Sequence, residues 1–193
     1  VNGTVMVKDI RPGSSSSFPL HFTAVGNTLY LQAKEGTHGI ELWMSDGTEN
    51  GTVMVKDIYS GNSNSLPNSL IAVDNTLYFK ATDGTNGAEL WKSDGTVNGT
   101  VMVKDIYSGS SGSTLNHLTA VGNTLYFQAD DGTNGVELWG VQNASIGTSA
   151  PTWSIHPSLP TGLSFDSSNG TITGTPTATQ VATTYTIWAN ESV

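Results

Sequence analysis

The chain has 193 residues, 36% apolar and only 12% charged, and its seven Lys and Arg against sixteen Asp and Glu leave a net charge of −9. That balance repels a phosphate backbone and an anionic lipid surface, so neither nucleic acid nor membrane is an expected partner, and no apolar run reaches the ~18 residues of a spanning helix. There is no cysteine, which excludes disulfides, thiol nucleophiles and thiolate metal sites.

Gly, Ser, Thr and Asn dominate the remainder, a composition of turns and strand surfaces rather than helices. The segment GTVMVKDI opens at Gly3 and returns at Gly51 and Gly99, steps of 51 − 3 = 48 and 99 − 51 = 48 residues. Glu41-Leu42-Trp43, Glu89-Leu90-Trp91 and Glu137-Leu138-Trp139 keep the same step. A fixed period of this size signals one supersecondary unit stacked on copies of itself. Val1 enters in mid-repeat without an initiator Met, so the sequence reads as part of a longer protein, with any signal peptide outside it.

Residues 66–107 define the unit. Ser69 to Val73 is a short strand closed by the turn Asp74-Asn75, and Thr76 to Ala81, rich in β-branched and aromatic residues, is the second strand. Asp83-Gly-Thr-Asn-Gly87 reads as a hairpin loop, Ala88 to Ser93 as the third strand, Asp94 to Gly99 as a second loop, and Thr100 to Ile106 as the fourth strand. Four antiparallel strands per unit is the content of a β-propeller blade; a β-solenoid is the structural competitor. The expected fold is all-β, with propeller-like blades of four antiparallel strands followed by a partial Ig-like β-sandwich.

Gly3 to Ile10 is expected to be a lone fourth strand, and the third unit to stop after three strands at Trp139, where Gly140-Val141-Gln142-Asn143 replaces Ser-Asp-Gly-Thr. Joining those ends would close only three blades, below the usual range of roughly four to eight. The missing blades are expected upstream in the same chain or from a second copy as a homodimer.

Two resemblances follow. Glu41-Leu-Trp-Met-Ser-Asp-Gly-Thr48 and Glu89-Leu-Trp-Lys-Ser-Asp-Gly-Thr96 resemble the ELWxxDGT (hyalin-type) repeat of large secreted or surface proteins, over residues 1–139. Residues 140–150 form a small polar linker. Pro151 to Phe165, Asn169 to Pro176 and Thr184 to Asn190 are similar to the second half of the putative Ig (PIG) domain, a cadherin-like β-sandwich, so 151–193 is expected to be a partial Ig-like segment. These resemblances imply an extracellular or cell-surface location.

No catalytic set appears. The histidines at 21, 38, 117 and 156 lack HExxH spacing, and no nucleophile elbow, P-loop or dinucleotide glycine pattern occurs. Asp9, Asp57 and Asp105 recur at one position, where accepting backbone N–H bonds at a strand exit is the expected role. The sharper candidates are metal ligands: Asp83 and Asn86 in one loop, and Asp130, Asp131 and Asn134 in the next, with Glu89 and Glu137 close in sequence. Hard oxygens in Gly-rich loops suit Ca²⁺, the one cofactor these residues suggest. Asp-Gly and Asn-Gly are equally the signature of hairpin turns, and Lys34-Glu35-Gly36 breaks the pattern in the first copy. Trp and Leu of each Glu-Leu-Trp face opposite sides of a strand, so both are expected in cores between units rather than as a sugar platform. The functional expectation is a non-catalytic extracellular module for adhesion, display or spacing of binding surfaces toward a protein or glycan. The alternative is an accessory binding domain of a larger secreted enzyme.

Overall fold

Short β-branched and aromatic runs, broken by Gly, Asn and Asp pairs, favour pleated strands. The computed structural model, which describes residues 3–142, 152–177 and 183–190, is all-β over those residues. The chain divides into two units, Val1–Asn143 and Ala144–Val193.

In the first unit β1 (Leu20–Val25), β2 (Thr28–Lys34), β3 (Ile40–Ser45) and β4 (Val53–Lys56) form one antiparallel meander in chain order. β5 (Asn68–Val73), β6 (Thr76–Thr82), β7 (Ala88–Ser93) and β8 (Val101–Lys104) repeat it. β9 (Asn116–Val121), β10 (Thr124–Asp130) and β11 (Val136–Gln142) form a three-stranded sheet. The first three strands of the unit lie where the pattern puts them, to within a residue at either end. The fourth is shorter than the expected Thr100–Ile106. Asp105 turns the chain out of the ladder, its carboxylate accepting the Gly109 N–H at 3.1 Å, as Asp57 does from Gly61 at 3.0 Å.

One expectation is overturned. Gly3 to Ile10 forms no strand. Among the described residues no strand pairs with it, and a segment without a ladder partner has nothing to hold it extended. Val5 and Met6 are correspondingly exposed.

Each first strand carries a bulge. His21, Ser69 and His117, at successive 48-residue steps, have φ of 57°, 54° and 56° and sit where two residues oppose one on the neighbouring strand. Period-2 alternation then sends the two apolar residues of Glu-Leu-Trp into different cores. Leu42 packs with Ile58, Leu77, Phe79 and Trp91, whereas Trp43 packs with Leu31, Ala33 and Ile10. One repeat later Leu90 packs with Ile106, Leu115 and Phe127, and Trp139 lies against the same cluster. The first two sheets thus turn their Leu toward the following repeat, and the second and third turn their Trp toward the preceding sheet.

In the second unit β12 (Thr152–His156) pairs with β15 (Thr186–Asn190), and β13 (Leu163–Asp166) pairs with β14 (Thr171–Gly174), all antiparallel. Asp166 organises the second hairpin: its carboxylate accepts from the Ser168 N–H at 2.8 Å and the Asn169 side-chain amide at 2.9 Å. The Trp153 N–H donates to Ser167 O at 2.7 Å, and its ring covers Gly170 so closely that a Cβ there would lie 2.9 Å from it. This arrangement is Ig-like in character.

The loops between third and fourth strands explain their own sequence. Asp46 Oδ1 accepts from the Thr48 N–H at 2.9 Å and the Thr48 hydroxyl at 2.7 Å, and the Gly51 N–H donates to Thr48 Oγ1 at 2.9 Å. Asp94, Thr96 and Gly99 repeat this set with distances of 2.9, 2.8 and 2.9 Å. A Cβ on Gly51 would fall 2.0 Å from Asp46 Oδ1, so glycine is demanded by the carboxylate rather than by φ. Gly51→Ala is expected to lower stability by about 1–3 kcal/mol in urea unfolding. Combined with Asp46→Ala, which removes the obstacle, the loss is expected to be less than additive. Strict additivity would mean that the two groups do not meet.

Candidate functional site

The strongest polar constellation is the one built on the first residue of each Glu-Leu-Trp. Glu41 lies on β3 and is fully buried. Its Oε2 accepts the Ile58 N–H at 2.9 Å and the Ser65 hydroxyl at 2.6 Å, and its Oε1 accepts the Ser65 N–H at 3.1 Å. Ile58 and Ser65 bracket the Ser- and Gly-rich connector from β4 to β5, so one carboxylate ties both ends of that connector to the middle of the sheet. Glu89 does the same from β7, accepting the N–H groups of Ile106 at 3.2 Å, Tyr107 at 3.4 Å and Ser113 at 2.9 Å. The connector serine is shared with the next sheet: Ser65 O accepts the Thr82 N–H at 3.0 Å, and Ser113 O accepts the Asp130 N–H at 2.8 Å.

Burial pushes the carboxyls of Glu41 and Glu89 above the usual range, and the hydrogen bonds donated to them oppose that push. Both carboxylates are fully engaged in holding the stack. The sequence reading placed Glu89 and Glu137 near the calcium candidates and missed this anchoring role. The signal was present: Ser65 and Ser113 each follow their glutamate by 24 residues.

Lysines add a second tie. Lys56 Nζ donates to Thr100 O at 2.8 Å and Lys8 Nζ to Thr52 O at 2.8 Å, each reaching one repeat ahead. Lys104 instead lies 5.0 Å from the centroid of the Trp139 ring.

The candidate metal ligands sit in two separate loops. Asp83 Oδ1 accepts the N–H groups of Thr85 at 2.8 Å and Asn86 at 2.9 Å, while Asp83 Oδ2 accepts the Asn86 side-chain amide at 2.8 Å. Asp131 and Asn134 repeat this, with 2.9, 2.7 and 2.7 Å. Asp130 Oδ1 turns aside to the Gly132 N–H at 2.7 Å. Asp83 meets Asn86, and Asp131 meets Asn134, as self-contained turns in which the asparagine presents its N–H₂ to the aspartate. Among the described residues no three His, Asp or Glu side chains gather as a metal cluster. Two glycines of these loops make room for a ring: Tyr59 covers Gly84, where a Cβ would lie 2.2 Å from it, and Tyr107 covers Gly132 at 2.8 Å, whereas Gly135 has open space around it and takes the positive φ of the turn.

In the first copy Glu35 and His38 replace the Asp-Asn pair, and Glu35 Oε1 receives the Thr37 hydroxyl, the His38 N–H and the His38 ring. The Thr37 hydroxyl, with lesser help from His38, holds the Glu35 carboxyl below its usual range; the hydrogen bond to Glu35 raises the His38 imidazole. His21 and His117 occupy the bulge positions, and His156 ends β12.

The pH dependence follows. Groups with a raised carboxyl pKa, Glu41 and Glu89, bind protons more readily folded than unfolded, so their contribution to stability grows as pH falls toward 4.5 and is flat below it. The turn aspartates Asp46 and Asp94 are held low, chiefly by Thr48 and Thr96, and their stabilisation is lost as pH falls below 3.8. His38 adds stability below 6.5 that is lost as pH rises through its raised value. Glu89→Gln puts an N–H₂ against backbone donors and is expected to cost on the order of 2 kcal/mol, with a Tm several degrees lower. The gap to wild type is expected to widen as pH falls toward 4.5, because only the wild type gains there. A gap independent of pH would mean that Glu89 is not held above its ordinary value.

Comparison with known proteins adds three findings. No curated protein matches the chain. A crystal structure of a computationally designed protein, Ika8, is similar at 20% identity and a TM-score of 0.35, over 64% of this chain and 33% of that one. The chain therefore spans about a third of the designed protein's length. The putative Ig domain family matches residues 96–192, taking in the third copy of the repeat together with the second unit. With half of its length matched, the chain belongs to the putative Ig domain family.

Proposed function

We propose that this chain is a non-catalytic module of the cell surface or extracellular space that spaces and displays binding surfaces toward a protein or glycan. In this reading residues 1–139 are an ELWxxDGT array stacked as propeller-type blades, 151–193 are the partial Ig-like segment, and the linker expected over 140–150 starts only after Gln142, because residues 140–142 continue β11 in its ladder with β10. The observation that carries it is the repeated Glu41 and Glu89 interlock, in which the most deeply buried carboxylates accept from the backbone and serve architecture. Membership of the putative Ig domain family supports it, since Ig-like domains suggest binding or surface modules without catalysis. The accessory domain of a secreted enzyme is the rival.

Sequencing the whole reading frame that encodes the chain decides between them. Further repeats and a surface anchor are the expected result; a catalytic domain in the same frame would transfer the function to the rival.

Calcium at Asp83 and Asn86, and at Asp130, Asp131 and Asn134, belongs to the same reading as a loop ligand. Binding there requires the asparagine amides to turn their oxygens inward. A ligand that binds only the folded chain raises Tm. A midpoint that does not move at roughly millimolar Ca²⁺ removes the metal from the account.

A further inference from the structure

The repeats differ in the hairpin between their second and third strands. Asn86 and Asn134 hold one position of that hairpin in the second and third copies, and His38 holds it in the first. The asparagine amides stay within their own loops, on Asp83 and Asp131. His38 reaches out of its loop. Its Nδ1 is hydrogen-bonded to Glu35 Oε1, and its Nε2 lies 3.9 Å from Asp57 Oδ2 on the connector from β4 to β5. Both close ion pairs among the described residues are made by this one imidazole.

Hairpin and connector are pressed together at this point. The Gly39 N–H donates to Gly61 O at 3.2 Å, and the Ile40 N–H donates to Asn64 Oδ1 at 2.8 Å. A Cβ on Gly39 would fall 1.6 Å from Ser63 O. His38 directly precedes these two donors in the chain. Asp57 turns the connector by accepting the Gly61 N–H on Oδ2 at 3.0 Å, while its Oδ1 is buried without a partner. The charged groups that face His38 are Glu35 on its own hairpin, Asp57 on the connector and Glu41 on β3, all carboxylates.

A neutral imidazole carries one N–H and one lone pair. With its N–H on Glu35, neutral His38 turns the Nε2 lone pair toward the Asp57 carboxylate, which is repulsive. Protonation places an N–H there instead, and a positive charge among three acids. Asn86, whose loop lies against the second connector at Gly87 and Ser111, has no such second state.

We propose that His38 is a proton-operated latch: charged, it holds the connector 57–65 against the β2–β3 hairpin, and neutral, it lets the connector open. The hydrogen bond to Glu35 raises the imidazole, so the hold is complete below 6.5 and is lost as pH rises through the raised value. The latch goes beyond the functional reading and does not rest on it. It gives one connector of the array a response to pH that the next one lacks.

Hydrogen exchange of the intact chain, followed amide by amide from about pH 5.5 to about pH 8, is the test. After correction for intrinsic exchange, the Gly61 amide is expected to lose protection relative to its counterpart Gly109 by at least about threefold as pH rises. Proton uptake by Glu41 and Glu89 acts on both connectors, so the ratio of the two amides isolates the histidine. General destabilisation of a variant is read from Gly109 in the same molecule. His38→Asn, which installs the residue of the other two copies, is expected to make the ratio independent of pH. Asp57→Asn keeps an acceptor for Gly61 and is expected to weaken the dependence. A constant ratio in the wild type, a pH dependence that survives either substitution undiminished, or a His38 ring that titrates at or below 6.5 would each overturn the proposal.

Discussion

The first unit depends on a carboxylate placed where solvent cannot reach it. Glu41 and Glu89 each sit near the start of the third strand of a sheet and accept hydrogen bonds from both ends of the connector that leads to the following sheet. A buried charge without partners would be costly, and removing one side of such a cluster leaves the other side unpaired. Here the partners are backbone N–H groups of an irregular, Ser- and Gly-rich segment that has no ladder of its own. The same bonds therefore satisfy the charge and fix the loop. Without them the connector would hold neither Ile58 in the core nor Ser65 against the next sheet.

Around that anchor the apolar chemistry is strictly directional. Because successive strand residues point to opposite faces, Leu42 and Trp43 cannot share a core. They serve different ones, and the cores run in series: Trp43 with Ile10, Leu42 with Trp91, Leu90 with Trp139. The junctions between the three sheets are each made from a Trp of one sheet, a Leu of the sheet before it, and the isoleucine of the connector between them. This is the nearest-neighbour logic of repeat proteins, in which one interface term recurs along the chain.

Glycine and strained residues locate the places where elements approach too closely for a side chain. Gly51 and Gly99 lie against the carboxylates of Asp46 and Asp94. Gly39 lies against the connector backbone, where a Cβ would come 1.6 Å from Ser63 O. The non-glycine residues with positive φ at 21, 69 and 117 recur at the bulge of every first strand, and those at 18, 66 and 114 just ahead of it. Such conformations cost energy that only surrounding packing can offset, and their recurrence means that the same packing is rebuilt in each copy.

Period, composition and alternation by themselves determined that the described residues are all-β, that the first part is built from 48-residue units of up to four antiparallel strands, and that the third unit shows three of them. Those properties are local: β-branched runs and Asp-Gly or Asn-Gly turns act over a few residues and read directly from the order of side chains. The turn role of Asp57 and Asp105 was legible for the same reason. What only the tertiary structure decided is long-range. That Glu41 serves Ile58 and Ser65, that Tyr59 covers Gly84, and that Gly3 to Ile10 is left without a ladder all depend on which segment lies beside which, across 17 to 25 residues or more. The segment Gly3 to Ile10 has the same sequence as 51–58 and 99–106, which hold β4 and β8, yet differs from them in state because a strand exists only where a neighbour offers its own N–H and C=O groups. Identical residues acquired different structures from their surroundings.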